Sequence, residues 1–137
     1  MTRPDEPTAP RIDGFLELAR RRLPYRPTAR DLPAVRARGG LIVDIRPVEQ
    51  RRRDGELPGA VVIDRNVLEW RLDPTSPHRI PEVTAADQEI VLVCNEGYAS
   101  SLAAMTLQDL GLRGATDLAG GIQGLRIHAG EPGPTRD

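Results

Sequence analysis

Four short runs of consecutive apolar residues interrupt an otherwise polar chain. They are Leu41-Ile42-Val43-Asp44-Ile45, Ala60-Val61-Val62-Ile63, Ile90-Val91-Leu92-Val93-Cys94 and a weaker one, Ala115-Thr116-Asp117-Leu118-Ala119. Runs of this length without alternation predict strands covered on both faces, as in a parallel sheet. A different period appears between and before them. Ile12, Phe15, Leu16, Ala19 and Leu23 recur at spacings of three and four, which predicts an amphipathic helix over 12–23, stopped at Pro24. Thr28 serves as N-cap for a second helix through Asp31, Val35 and Arg38, ended by Gly39-Gly40. Ser101 to Leu110 reads as a further helix directly after the third run. Strands separated by helical segments predict an α/β domain.

The chain has 137 residues, enough for one compact domain with its own core. Residues 1–11 hold Pro4, Pro7 and Pro10 without periodic apolar positions and read as a loose N-terminal tail. The domain is expected to span 12–130, with 131–137 as a Pro- and Gly-containing C-terminal tail. All 19 basic residues are arginine and oppose 20 acidic ones, so the net charge of −1 gives no field for nucleic acid. Arg20-Arg21-Arg22 at the end of the first predicted helix suit its dipole as solvated cations, rather than as a nucleic-acid or membrane contact. The lack of lysine excludes Schiff-base chemistry through that residue. With one cysteine and only His78 and His128 as histidines, both read as surface residues, the sequence predicts no internal disulfide, no metal site and no cofactor. No apolar stretch is long enough to cross a bilayer and no signal-peptide pattern opens the chain, so the expected setting is cytoplasmic.

The lone cysteine carries the candidate chemistry. Cys94 closes a buried strand and opens Asn95-Glu96-Gly97-Tyr98-Ala99-Ser100-Ser101, which leads into a helix. Backbone N–H groups of such a turn and of a helix N-terminus favour an anion, so the placement suggests a nucleophilic thiolate. Gly97 supplies the positive φ that bends the loop. Ser100 or Ser101 either caps the helix or donates to the sulfur. Tyr98 either lines a pocket mouth, where an acceptor protein would touch it, or lies on the neighbouring helix. In open parallel sheets ligands sit beyond the carboxyl ends of strands, where both Cys94 and Asp44 fall. Asp44 and Arg46 read as an ion pair fixing the strand end, with a substrate role as the alternative. Arg65 and Arg71, after the second strand, are the first candidates for a cation near the pocket, against the plainer reading as solvated surface, and Trp70 between them reads as a core or half-buried anchor.

The order of these segments resembles the single-domain rhodanese family of sulfurtransferases. Leu41-Ile42-Val43-Asp44-Ile45-Arg46 is similar to the family's strand ending in Asp-Val-Arg, and Gly55-Glu56-Leu57-Pro58-Gly59-Ala60 to its Gly-His-Ile-Pro-Gly-Ala turn. Cys94 to Ser100 resembles the Cys-x-x-Gly-x-x-Ser active loop, and Leu118-Ala119-Gly120-Gly121-Ile122 the Leu-x-Gly-Gly-x ending. The resemblance, over roughly residues 28 to 130, implies a rhodanese-like fold: a five-stranded parallel sheet with helices on both faces. It also implies that Cys94 cycles between thiol and persulfide, taking sulfane sulfur from a small donor such as thiosulfate or a persulfide. The sulfur then passes to cyanide, a thiol or an acceptor protein, with the N–H groups of Asn95 to Ser101 cradling it. Partners of other kinds, nucleic acid or membrane, are not implied, and oligomeric state is left open.

The chain departs from the pattern in ways that bear on donor choice. Many family loops carry arginine after the cysteine or before the closing serine; here those places hold Asn95 and Ala99, and the loop contains the acid Glu96. Glu96 opposes a nearby thiolate and repels anionic donors, while the turn dipoles act the other way. Glu56 stands in the place of the turn histidine and Leu125 in that of a tryptophan, changes expected to affect packing or surface. Two other readings accompany sulfurtransfer. A phosphatase or arsenate reductase also uses a cysteine at a strand-to-helix loop, but needs an arginine closing the loop, where this chain has Ser100 and no arginine before Arg113. A rhodanese-like carrier, sensing or protein-binding module would keep the thiol and show little turnover.

Overall fold

The computed structural model describes residues 11–131, so the predicted tails fall outside the described residues except for Arg11 and Glu131. The apolar runs form four parallel strands: β1 Leu41–Asp44, β2 Val61–Val62, β3 Ile90–Val93 and β4 Ala115–Asp117, in the order β2-β1-β3-β4. Around them lie α1 Ile12–Arg21, α2 Leu32–Ala37, α3 Val48–Asp54, α4 Leu68–Leu72, α5 Ala99–Leu110 and α6 Gly121–His128.

Side chains alternate across each strand, which splits the continuous apolar runs between two cores. Val43, Ile45, Ile90, Leu92 and Cys94 pack with Leu68, Leu72, Ala103, Ala104 and Leu107, against α4 and α5. Ile42, Val91 and Val93 pack on the other face with Leu32, Val35 and Ile122, from α2 and α6. Helices therefore cover both faces. The thiol belongs to the face of α5, whose first turn starts five residues after it.

The sheet has four strands among the described residues, not the five expected. The place beside β4 is occupied by Pro24-Tyr25-Arg26-Pro27 without a ladder: Ala119 N–H donates to the Pro27 carbonyl at 2.8 Å, and the Thr116 hydroxyl donates to the Tyr25 carbonyl. Tyr25 and Pro27 turn their carbonyls toward β4, and Pro27 has no N–H to return, which interrupts a regular ladder there.

Two packing expectations also change. Trp70 is 57% exposed rather than an anchor, because α4 turns Leu68 and Leu72, one helical turn apart, into the core and Trp70 lies between them. In the first helix Ala19, and Leu23 just beyond its end, are buried, while Ile12 and Phe15 are exposed, so only part of the stripe faces the fold. The second helix begins as read. Thr28 N–H donates to the Asp31 carboxylate at 2.9 Å, which holds that carboxyl below its ordinary value, and a short 3-10 turn leads into α2.

Candidate active site

Cys94 follows β3 at its carboxyl end and is 6% exposed. The loop behind it is shaped by the start of α6. Ile122 N–H donates to the Cys94 carbonyl and Gln123 N–H to the Asn95 carbonyl, each at 3.0 Å. Two otherwise unpaired amides of the helix N-terminus thus tie down the loop's carbonyls. The following amides turn inward: Gly97 N–H reaches Sγ at 3.1 Å and Ser100 N–H at 3.3 Å. Of the expected cradle, these two amides touch the sulfur, whereas Ser101 N–H is committed to the Tyr98 carbonyl at 3.0 Å.

This approach leaves no room for side chains at two glycines. Gly97 has φ +91°, and a Cβ there would lie 2.7 Å from Gly120 N. Gly121 has φ +57°, and a Cβ there would lie 2.5 Å from the Cys94 carbonyl oxygen. The Gly-Gly ending and the loop glycine are therefore two halves of one contact, which the sequence holds 23 and more positions apart.

Neither serine caps α5; Tyr98 occupies the N-cap position and makes no side-chain cap. Both hydroxyls turn toward a fully buried carboxylate at the end of β4. Ser100 Oγ donates to Asp117 Oδ2 at 2.7 Å and Ser101 Oγ at 2.8 Å, while the Cys94 thiol donates to Ser100 Oγ at 3.1 Å. Arg26 pairs with Asp117 through Nε at 2.7 Å and donates through Nη2 to the Gly97 carbonyl at 2.9 Å. Arg20 reaches the same carbonyl at 2.9 Å and Ser101 Oγ at 3.2 Å. Arg20 is thus not the solvated helix-end cation that its position suggests; Arg22 pairs with Asp109 at 3.0 Å.

In front of the sulfur lies a cleft of about 450 Å³, lined by Ile45, Arg46, Pro47, Gln50, Arg65 and Leu102 together with the loop residues Asn95, Glu96, Tyr98 and Ala99. Arg65 is the cation at its mouth and is shared with Glu69 at 2.9 Å. Arg71 is exposed, donates to the His78 carbonyl and does not line the cleft. Asp44 and Arg46 form an ion pair at 2.8 Å with both side chains fully buried, and Arg46 also donates to the Gly55 carbonyl at 2.8 Å. Buried Asn95 accepts from Gln123 at 3.0 Å, which fixes the residue after the thiol. Glu96 is exposed at the mouth. Its carboxylate, with some burial and the nearby Cys94, holds the Tyr98 phenol above its ordinary pKa, since each disfavours a phenolate. Tyr98 itself is 52% exposed and lines the cleft, so it stands at the pocket mouth. His78 and His128 are exposed.

Three residues of this site escaped the sequence reading. Asp117 had a signal, a charged residue at the carboxyl end of a parallel strand, the same signal that singled out Asp44. Arg20 and Arg26 had none, because nothing in their local sequence refers to a loop some seventy positions away. Among the described residues no group of histidine, cysteine and carboxylate side chains is arranged to hold a metal ion, and no helix is long and apolar enough to cross a membrane.

Comparison with known proteins places this geometry. A family model described as Rhodanese-like domain matches residues 28–128. Among solved structures, a protein of unknown function and possible tyrosine phosphatase from Rhodopseudomonas palustris is 34% identical, with a TM-score of 0.76, over 96% of this chain and 99% of that one. A human single-domain sulfurtransferase is 26% identical with a TM-score of 0.59, over 70% of this chain and 89% of its own. A rhodanese-related protein from Thermoplasma volcanium is 25% identical with a TM-score of 0.57, over 79% and 96%. No curated protein matches this chain.

Proposed function

The chain belongs to the rhodanese-like domain family, and we propose that within it the protein is a sulfurtransferase working through a persulfide on Cys94. The observation that carries the reading is the thiol at the floor of an open cleft with two backbone N–H groups on its sulfur. Those donors favour negative charge on Sγ in the thiolate that attacks the donor and in the thiolate released when the persulfide is cleaved. In the first step the thiolate attacks the outer sulfur of thiosulfate. The donor S–S bond breaks and sulfite leaves with the electron pair, giving Cys–S–S⁻. In the second, cyanide or a thiolate attacks the outer sulfur, and the Cys94 thiolate is regenerated as thiocyanate or a new persulfide departs. No outside oxidant enters.

The name of the Rhodopseudomonas palustris relative raises phosphate-ester hydrolysis. That chemistry needs an arginine fork turned into the loop. Here Ser100 holds the closing position, Arg20 and Arg26 donate to the loop's Gly97 carbonyl, and the cleft arginines Arg46 and Arg65 are paired with Asp44 and Glu69. Sulfurtransfer therefore fits better. The carrier or sensing reading, with little turnover, draws support from Glu96 at the mouth and from Arg65 being shared with Glu69. Cytoplasmic sulfur chemistry with a small donor and a thiol or protein acceptor is the setting we propose.

The test is intact mass after exposure to thiosulfate and, separately, to a small-molecule persulfide. Sulfurtransfer predicts a gain of about 32 Da, reversed by cyanide or a thiol. An accessible thiol that takes up no sulfur from either donor counts against it. The loop charge gives a second expected outcome. Glu96→Gln speeds loading from thiosulfate about 2- to 5-fold at low ionic strength, and the gain fades in high salt because the effect is screened. A salt-independent rate identical to wild type excludes Glu96 as a barrier to anionic donors.

A further inference from the structure

Behind the sulfur, on the side away from the cleft, the hydrogen bonds end on one carboxylate. We propose that Asp117, anchored by Arg26, is a positioning residue for Cys94: it fixes the direction of the Ser100 hydroxyl and so sets how readily the sulfur carries negative charge. This rests on Cys94 being the reacting group of the proposed sulfurtransfer.

The reasoning turns on a single proton. Ser100 Oγ lies 2.7 Å from Asp117 Oδ2 and 3.1 Å from Sγ, and it has one hydrogen to give. A buried carboxylate is the stronger acceptor, so the proton goes to Asp117 and a lone pair faces the sulfur. The bond to sulfur is then completed by the thiol's own hydrogen. When that hydrogen leaves to buffer through the cleft, the lone pair faces a negative sulfur, and the favourable arrangement has the Ser100 proton turned toward Sγ. Asp117 tolerates that turn. It retains Ser101 Oγ at 2.8 Å and Arg26 through Nε at 2.7 Å and Nη2 at 3.2 Å. The hydroxyl thus has two positions, and the carboxylate biases it toward the one that suits the neutral thiol. The other charged or titratable groups facing this cluster are Arg46, Arg65, Glu96 and Tyr98 from the cleft side and Arg20 from α1. All are unchanged in the variants below.

Asp117→Asn separates the bias from the fold. Its carbonyl oxygen still accepts from Arg26, and the amide group faces the serines as a donor, which turns the Ser100 proton to the sulfur. Expected is alkylation of Cys94 by iodoacetamide about 3- to 10-fold faster than wild type near pH 6, with the whole pH profile moved to lower pH. In a Ser100→Ala background the same substitution is expected to give a clearly smaller acceleration, that of the lost carboxylate charge alone, because no hydroxyl is left to redirect. If the Asn variant does not fold, Asp117→Ala serves, since Arg26 is partly exposed and can turn to solvent while Ser100 loses its competing acceptor. Equal acceleration with and without the Ser100 hydroxyl would overturn the proposal by pointing to the carboxylate's charge acting directly or to a loosened loop, and so would an unshifted pH profile in a folded variant. Alkylation uses no sulfur donor. A failure of sulfur loading therefore leaves this result standing, and the reverse holds too.

Discussion

Cys94→Ser abolishes sulfur loading and turnover, with an expected loss of about 10³-fold or more, down to the background of the uncatalysed exchange. Serine's hydroxyl does not ionise near neutral pH, and no stable analogue of the persulfide forms on oxygen. The fold is expected to survive. Cys94 is 6% exposed at the edge of the α5-side core, and oxygen in place of sulfur is a small decrease in volume. The replacement hydroxyl also inherits partners, since Gly97 N–H, Ser100 N–H and Ser100 Oγ already face that position. Intact mass after thiosulfate, thiocyanate formation and a thermal melt read the three quantities separately. Residual loading above a tenth of wild type, in a chain with no second cysteine, would sink the persulfide mechanism.

The second large effect concerns stability. Arg46→Leu is expected to cost about 3–5 kcal/mol, because it leaves the Asp44 carboxylate buried without its cation. Both side chains are fully buried, and Asp44 is held by Arg46 through Nε and Nη2 as well as by the Arg46 backbone N–H at 3.0 Å. The Gly55 carbonyl, at the end of α3, loses its donor as well. Against a usual total of 5–15 kcal/mol this is a large fraction, and a melting temperature lower by roughly 10–20 °C follows. The double variant Asp44→Leu/Arg46→Leu is expected to recover most of the loss, since the desolvation cost of both charges goes with them. Urea melts of the two variants decide the matter. A single variant within about 1 kcal/mol of wild type would mean that the pair does not hold the strand end. Loading by thiosulfate in the double variant within a few-fold of wild type would identify the pair as structural rather than substrate-binding.

How much of this was legible beforehand varies by element. The strands were: the central β1 and β3, buried on both faces, leave near-continuous apolar runs that need no partner to be recognised, and the edge strand β2 carries a similar run although Val62 is 45% exposed. Helix α3 was not: it buries none of its residues, so Val48 to Asp54 carries no apolar period, and only Pro47 before it and Gly55 after it mark the ends. That no fifth strand lies beside β4 among the described residues has a trace in Pro27, but it takes the β4 edge to show what its absent N–H forgoes. Trp70 misled because a large aromatic residue suggests burial, while the spacing of Leu68 and Leu72 decides which side of a five-residue helix faces inward.

At the site, the sequence by itself determined the candidate nucleophile and its frame. A thiol after an apolar run, a glycine three positions on and a helix beyond is local information, carried by residues that are neighbours along the chain. What only the tertiary structure decided is which side chains surround the thiol. Asp117 meets Ser100 across 17 positions, and Arg20 and Arg26 meet the Gly97 carbonyl across 77 and 71. Hydrogen bonds and ion pairs act over a few ångströms of space whatever the distance along the chain. Side chains from α1, the proline-flanked segment and β4 therefore become one network only when the sheet and its helices have packed.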